Sequence, residues 1–169
     1  AGEVCFVEVE GTLYIYYTWS SKNGEFMMVS TADAGRRDWP ATIQGRTVAC
    51  QKLFDQADIV YVEEEKKFLG FGTYQRFSDH SGIQLLESED GIHFEYSTFV
   101  SDKIAKFCHN MGVSKGENGH VCMKDTMYIG YGYSAGDKKV WGQWATRLQK
   151  IQLSVYDGDI CKDDQGDRG

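Results

Sequence analysis

Three stretches decide the fold: Leu13-Tyr-Ile-Tyr-Tyr-Thr18, Phe68-Leu-Gly-Phe-Gly-Thr73 and Tyr128-Ile-Gly-Tyr-Gly-Tyr133. Each is a short run of aromatic, aliphatic and glycine residues, the composition of a packed β-strand. They start at nearly even intervals, at Leu13, Phe68 and Tyr128. A second strand follows each one: Phe26-Met-Met-Val-Ser-Thr31, Ile83-Gln-Leu-Leu-Glu-Ser88 and Gly142-Gln-Trp-Ala-Thr146. Within these, the hydroxyl residues Ser30, Ser88 and Thr146 are evenly spaced. Two markers thus share one period, the signature of a repeated supersecondary unit.

Working outward, each unit reads strand, turn, aromatic strand, loop, strand, turn, strand. Unit one has strands over 5–9, 13–18 and 26–31, joined by Glu10-Gly11 and Lys22-Asn23-Gly24. Unit two has strands over 59–62, 68–74 and 83–88, the turn Glu89-Asp90-Gly91, and an outer strand near 93–97. Asp-Gly between strands is a strong hairpin signal. Unit three has a longer first hairpin, with Lys115-Gly-Glu-Asn-Gly119 inside it and an inner strand from near Met111. A four-stranded meander of this size matches one β-propeller blade. The expected fold is therefore all-β, with three blades over about 1–45, 46–105 and 106–155. A β-sandwich of similar hairpins is the alternative. Such blades belong to a larger propeller or are completed by a second copy, because open strand edges seek partners.

Composition supports this reading and excludes others. Aromatics make up 14% of the 169 residues, with 19 Gly and one Pro. That suits short strands and tight turns rather than a helical bundle; the best helical stretch, 101–107, is about two turns. The net charge of −7 argues against non-specific nucleic-acid binding, which needs clustered cations. No apolar run approaches the roughly 20 residues of a membrane span. The five cysteines form no Cys-x-x-Cys pair and match no zinc spacing, so they read as reduced thiols and favour a cytoplasmic protein. Residues 156–169 hold five Asp and almost nothing apolar, and read as a solvated tail. The charged run Glu63-Glu-Glu-Lys-Lys67 reads as a solvated hairpin turn.

The repeat frame also sorts the polar residues. Counting back ten residues from the aromatic strands gives Glu3 in unit one and Asp58 in unit two. In unit three the pair His109-Asn110 precedes the inner strand. Inner strands of a propeller line the axis, so these residues are expected to meet in one pocket. Carboxylates around a cleft are what glycoside hydrolysis requires. Trp144 and Arg147 join them as candidate sugar contacts, although Trp141 and Trp144 also suit the interior of a blade. Capping of strand ends is the plain alternative for the polar set.

Gly2-Glu-Val-Cys-Phe-Val-Glu-Val-Glu-Gly-Thr-Leu-Tyr-Ile-Tyr-Tyr-Thr18 resembles the general-acid blade of glycoside hydrolase family 43. Ser88-Glu-Asp-Gly-Ile-His-Phe94 carries the Ser-x-Asp-Gly-x-x-Phe pattern common in propeller glycosidases, and His109-Asn110 is similar to the family's last blade. The resemblance implies a five-bladed propeller in which this chain supplies the last three blades, with the catalytic base ahead of Ala1. It implies Glu3 as general acid, Asp58 lining the pocket, and His109 holding a metal or water near the axis. It implies an oligosaccharide or glycoside as ligand. No cofactor is required; a structural calcium on the axis is the one ion it suggests. A non-catalytic binding or assembly module that closes a ring by dimerisation is the competing expectation.

Overall fold

A computed structural model describes residues 2–50, 57–100, 104–134 and 142–155. The tail 156–169 and Trp141 lie outside the described residues. Three antiparallel meanders follow the three sequence units. The first sheet is β1 (Gly2–Val9), β2 (Thr12–Ser21), β3 (Gly24–Asp33) and β4 (Gln44–Cys50), in that order. The second runs β5 (Ala57–Val62), β6 (Lys67–Tyr74), β7 (Gly82–Ser88), β8 (Glu95–Val100). In the third, β11 (Met127–Ser134) lies between β9 (Cys108–Val113) and β12 (Trp144–Ile151). The remaining strand, β10 (His120–Val121), leaves the third unit and pairs in parallel with β5.

Local chemistry sets these elements. Val9 pairs with Thr12, so Glu10-Gly11 is a two-residue loop. Both residues have positive φ, 51° and 82°, as a type I′ turn requires and as the right-handed twist of a hairpin favours. The first sheet continues to Cys50, beyond the expected end of unit one. Among the described residues the third sheet has three strands rather than four. Residues 104–107 form no helix, and 101–103 lie outside the described residues.

The middle sheet is buried on both faces. Ile59 and Val60 are neighbours on β5 with 0% exposure each. They point to opposite sides, as successive strand residues must. Ile59 packs with Val7, Tyr16, Val29, Phe68 and Leu86 against the first sheet. Val60 packs with Phe71, Ile83, Met111, Ile129 and Tyr131 against the third. Each fully buried side chain of this kind contributes about 1.5–3 kcal/mol. This is why unit two reads as a nearly continuous apolar run rather than an alternating one. The outer sheets are buried on one face each: Phe6 is 44% exposed and Leu148 69%.

Two connections tie the sheets together. In the turn after β7, Gly91 has φ +71°, and a Cβ there would meet the Phe68 and Tyr14 rings at 2.8 Å. Tyr16 Oη donates to the Gly91 carbonyl at 2.8 Å, stapling this turn onto the first sheet. The second connection, residues 114–126, crosses all three sheets as a strap. The amides of Glu8, Tyr61 and Glu63 donate to the carbonyls of Asn118, Gly119 and Val121 at 2.9, 3.0 and 3.2 Å. No helix among the described residues is long and apolar enough to cross a membrane.

Candidate functional site

The inner strands β1 and β5 start side by side. The Ile59 amide donates to Cys5 Sγ at 3.2 Å, which sets Cys5 level with Ile59 and brings Glu3 beside the start of β5. Glu3 sits at a bulge between Gly2 and Cys5 with φ +58°. Bulges at strand ends re-aim side chains, and positive φ is uncommon outside glycine. Its carboxylate is exposed and accepts a hydrogen bond from Thr18 Oγ1 at 3.1 Å. Glu3 and Asp58 line one cleft of about 420 Å³, together with Cys5, Lys115 and Glu117. That volume lies in the range of about 300–1,000 Å³ typical of small-ligand sites.

Asp58 is tightly engaged. Its Oδ2 accepts the Val113 amide at 2.8 Å. Its Oδ1 faces Lys115 Nζ at 2.5 Å and Cys5 Sγ at 3.1 Å. Lys115 has three N–H bonds and three acceptors: Asp58 Oδ1, the Ile59 carbonyl at 3.1 Å and Cys5 Sγ at 3.2 Å. Burial works to lower the Lys115 pKa, but the charges and hydrogen bonds of Cys5 and Asp58 outweigh it and hold the ammonium above its ordinary value. Burial, followed by the Asp58 charge, pushes the Cys5 thiol up to about 11. Cys5 is therefore a neutral packing group near neutral pH and not a nucleophile.

His109 and Asn110 do not join this cleft. From β9, Met111 and Gly112 line the cleft and the Val113 amide bonds Asp58, while His109 and Asn110 precede them in the strand. The count-back frame misjudged this level because β9 starts early, at Cys108, and is irregular where Asn110 takes φ +50°. The two residues line a second cleft with Gly130, Tyr131, Gly132, Trp144 and Thr146. Its wall is aromatic: ring centroids lie 4.6 Å apart for Phe77–His109, 5.6 Å for His109–Trp144 and 5.4 Å for Phe77–Trp144. Aromatic faces beside an amide suit the apolar face and hydroxyls of a sugar ring. Arg147 stands apart, its guanidinium 5.4 Å from the centre of the Tyr133 ring.

Sequence reasoning missed Lys115, Glu117 and Phe77. The available signal was a lysine and a glutamate inside an unusually long inner hairpin. Among the described residues no group of three or more His, Cys, Asp or Glu comes together to hold a metal ion.

The sequence matches no protein-family description and no curated protein. Its structure is similar to that of the α-L-arabinofuranosidase PaAbf62A from Podospora anserina, solved in complex with cellotriose. The TM-score is 0.62 at 12% identity, over 88% of this chain and 52% of that one, so this chain spans about half the length of that structure. Likeness at this identity speaks for architecture, and it does not single out family 43. The chain is an all-β protein built of β-propeller blades, with the fold of a propeller glycosidase.

Proposed function

We propose that this chain forms a carbohydrate-active site of the glycoside hydrolase type. The observation that carries this reading is the convergence of Glu3, Asp58 and Glu117 on one cleft at the start of two inner strands. Glycoside hydrolysis needs a carboxylic acid to protonate the leaving oxygen and a second carboxylate as base or nucleophile. Glu3 is exposed and aimed by its bulge, and takes the role of proton donor. Asp58 is held by Lys115, the Val113 amide and Cys5, and acts as a fixed group that orients ligand. Glu117 supplies the second exposed carboxylate of the cleft. The shelf of His109, Asn110 and Trp144 binds a further sugar ring.

Oligosaccharides are the ligands of choice because the similar arabinofuranosidase was solved with cellotriose. The test is turnover on aryl arabinofuranosides, xylosides and glucosides, and on short oligosaccharides. Glu3→Gln should lower kcat/KM about a hundredfold or more while sugar binding persists, as expected for a general acid. Unchanged turnover in Glu3→Gln would remove Glu3 from the chemistry. One observation favours a second reading, binding without cleavage: Asp58 is already committed to Lys115, Val113 and Cys5. Binding of the oligosaccharides with no turnover on the whole panel would decide for it.

A further inference from the structure

The strap carries an imidazole between two acceptors. His120 Nδ1 lies 2.5 Å from Glu63 Oε1, and His120 Nε2 lies 2.5 Å from the Glu8 carbonyl oxygen. A carbonyl oxygen only accepts, and so does an ionised carboxylate. A neutral imidazole has one N–H and satisfies only one of them. The protonated ring has two and satisfies both. Other carboxylates crowd the same corner: Glu64 accepts the Met123 amide at 3.1 Å, and the Glu8 carboxylate accepts the Gly11 amide at 2.7 Å. The Tyr61 ring covers the imidazole at 5.0 Å between centroids. Residues 63–66 form an exposed hairpin turn, as expected, and Glu63 and Glu64 from it also hold the strap.

The same strap enters the cleft. Lys115 and Glu117 lie a few residues before His120 and line it. Three strap carbonyls hold the amides of Glu8, Tyr61 and Glu63, which joins the strap to β1 and β5.

We propose that His120 is a pH-dependent latch for the strap and, through it, a positioning residue for the cleft. Protonated, it ties the third unit's hairpin to Glu8 of the first sheet and Glu63 of the second, and holds Lys115 on Asp58. Deprotonation leaves one ring nitrogen facing an oxygen lone pair and loosens the strap. Burial works against the charged ring, but the hydrogen bonds to Glu63 and Glu8 and their charges outweigh it, so the folded pKa lies above the ordinary value. The latch is therefore fully engaged below the unfolded value of about 6.5 and is lost as pH rises through the folded value.

Amide hydrogen exchange on the wild-type chain, from about pH 5.5 to about pH 9 and corrected for intrinsic rates, tests this without any sugar. The amides of Glu8, Tyr61 and Glu63 should lose protection together, by about tenfold, in one step that follows the His120 ring titration seen by NMR. Amide protection in β11 should not share the step. In His120→Gln the step should vanish. Amine-directed labelling of Lys115, measured relative to exposed Lys22, should rise over the same pH range. Constant protection while His120 titrates, or an undiminished step in His120→Gln, overturns the latch. A protection step without a rise at Lys115 overturns its link to the cleft. Neither outcome bears on whether the cleft binds carbohydrate.

Discussion

At the residue scale, Asp58 and Lys115 form a mostly buried charged pair, with 14% and 23% of their side chains exposed. Removing one partner of such a pair leaves the other desolvated and alone. Lys115→Met should therefore cost about 2–4 kcal/mol in chemical denaturation, and adding Asp58→Asn should recover part of it. Strictly additive losses in that cycle would mean the pair does not interact. Asp58 was legible as a cleft-lining residue because it stands at the start of an inner strand, at a fixed offset from the aromatic repeat. Lys115 was not, because its partner lies in another unit of the chain and nothing local marks it. Its setting between Ser114 and Gly116 reads as an ordinary turn. His109 was legible as part of a cleft and misplaced in level, since the irregularity at Asn110 has no sequence signature of its own.

At the scale of elements, the turn after β7 and the strap do the joining. Asp90 Oδ1 accepts the amides of Ile92 and His93 at 2.7 and 2.8 Å and the Ser88 hydroxyl at 3.0 Å. Burial raises its pKa, but the hydrogen bonds from His93, Ile92 and Ser88 outweigh this and hold the carboxyl well below the usual range. Its contribution is therefore present above the unfolded value of about 3.9 and is lost as pH falls through the folded value. Asp90→Ala should destabilise by about 1–3 kcal/mol at neutral pH and flatten the acid limb of the stability profile. An acid limb unchanged from wild type would contradict this. In the strap, Gly119 has φ +83°, and a Cβ there would meet the Phe6 carbonyl at 2.9 Å. Gly119→Ala should lower the melting temperature by a loss of about 1–3 kcal/mol, measured by calorimetry. The hairpins were legible because turn chemistry and register are local. Strand β10 was not, because it is very short and its partners Tyr61 and Val62 belong to the preceding unit.

At the scale of the molecule, the even spacing of Ser30, Ser88 and Thr146 carried the architecture. Each unit buries its aromatic strand against a neighbouring sheet, which the middle sheet does on both faces. That packing is what repetition at blade length implies, so the fold was readable from pattern alone. The site was readable only in part, because clefts form where separate units meet and their relative level is set by packing. On the reading proposed above, the cleft of Glu3, Asp58 and Lys115 takes a carbohydrate. The decisive measurement is a two-dimensional NMR titration with cellotriose and an arabinose-bearing oligosaccharide, up to about 10 mM, enough to saturate a site of millimolar affinity worth about 4 kcal/mol. Saturable shifts are expected at the amides of Cys5, Asp58 and Lys115, with a second set at His109 and Trp144. Spectra unchanged at both clefts, or shifts confined to other surfaces, would contradict it.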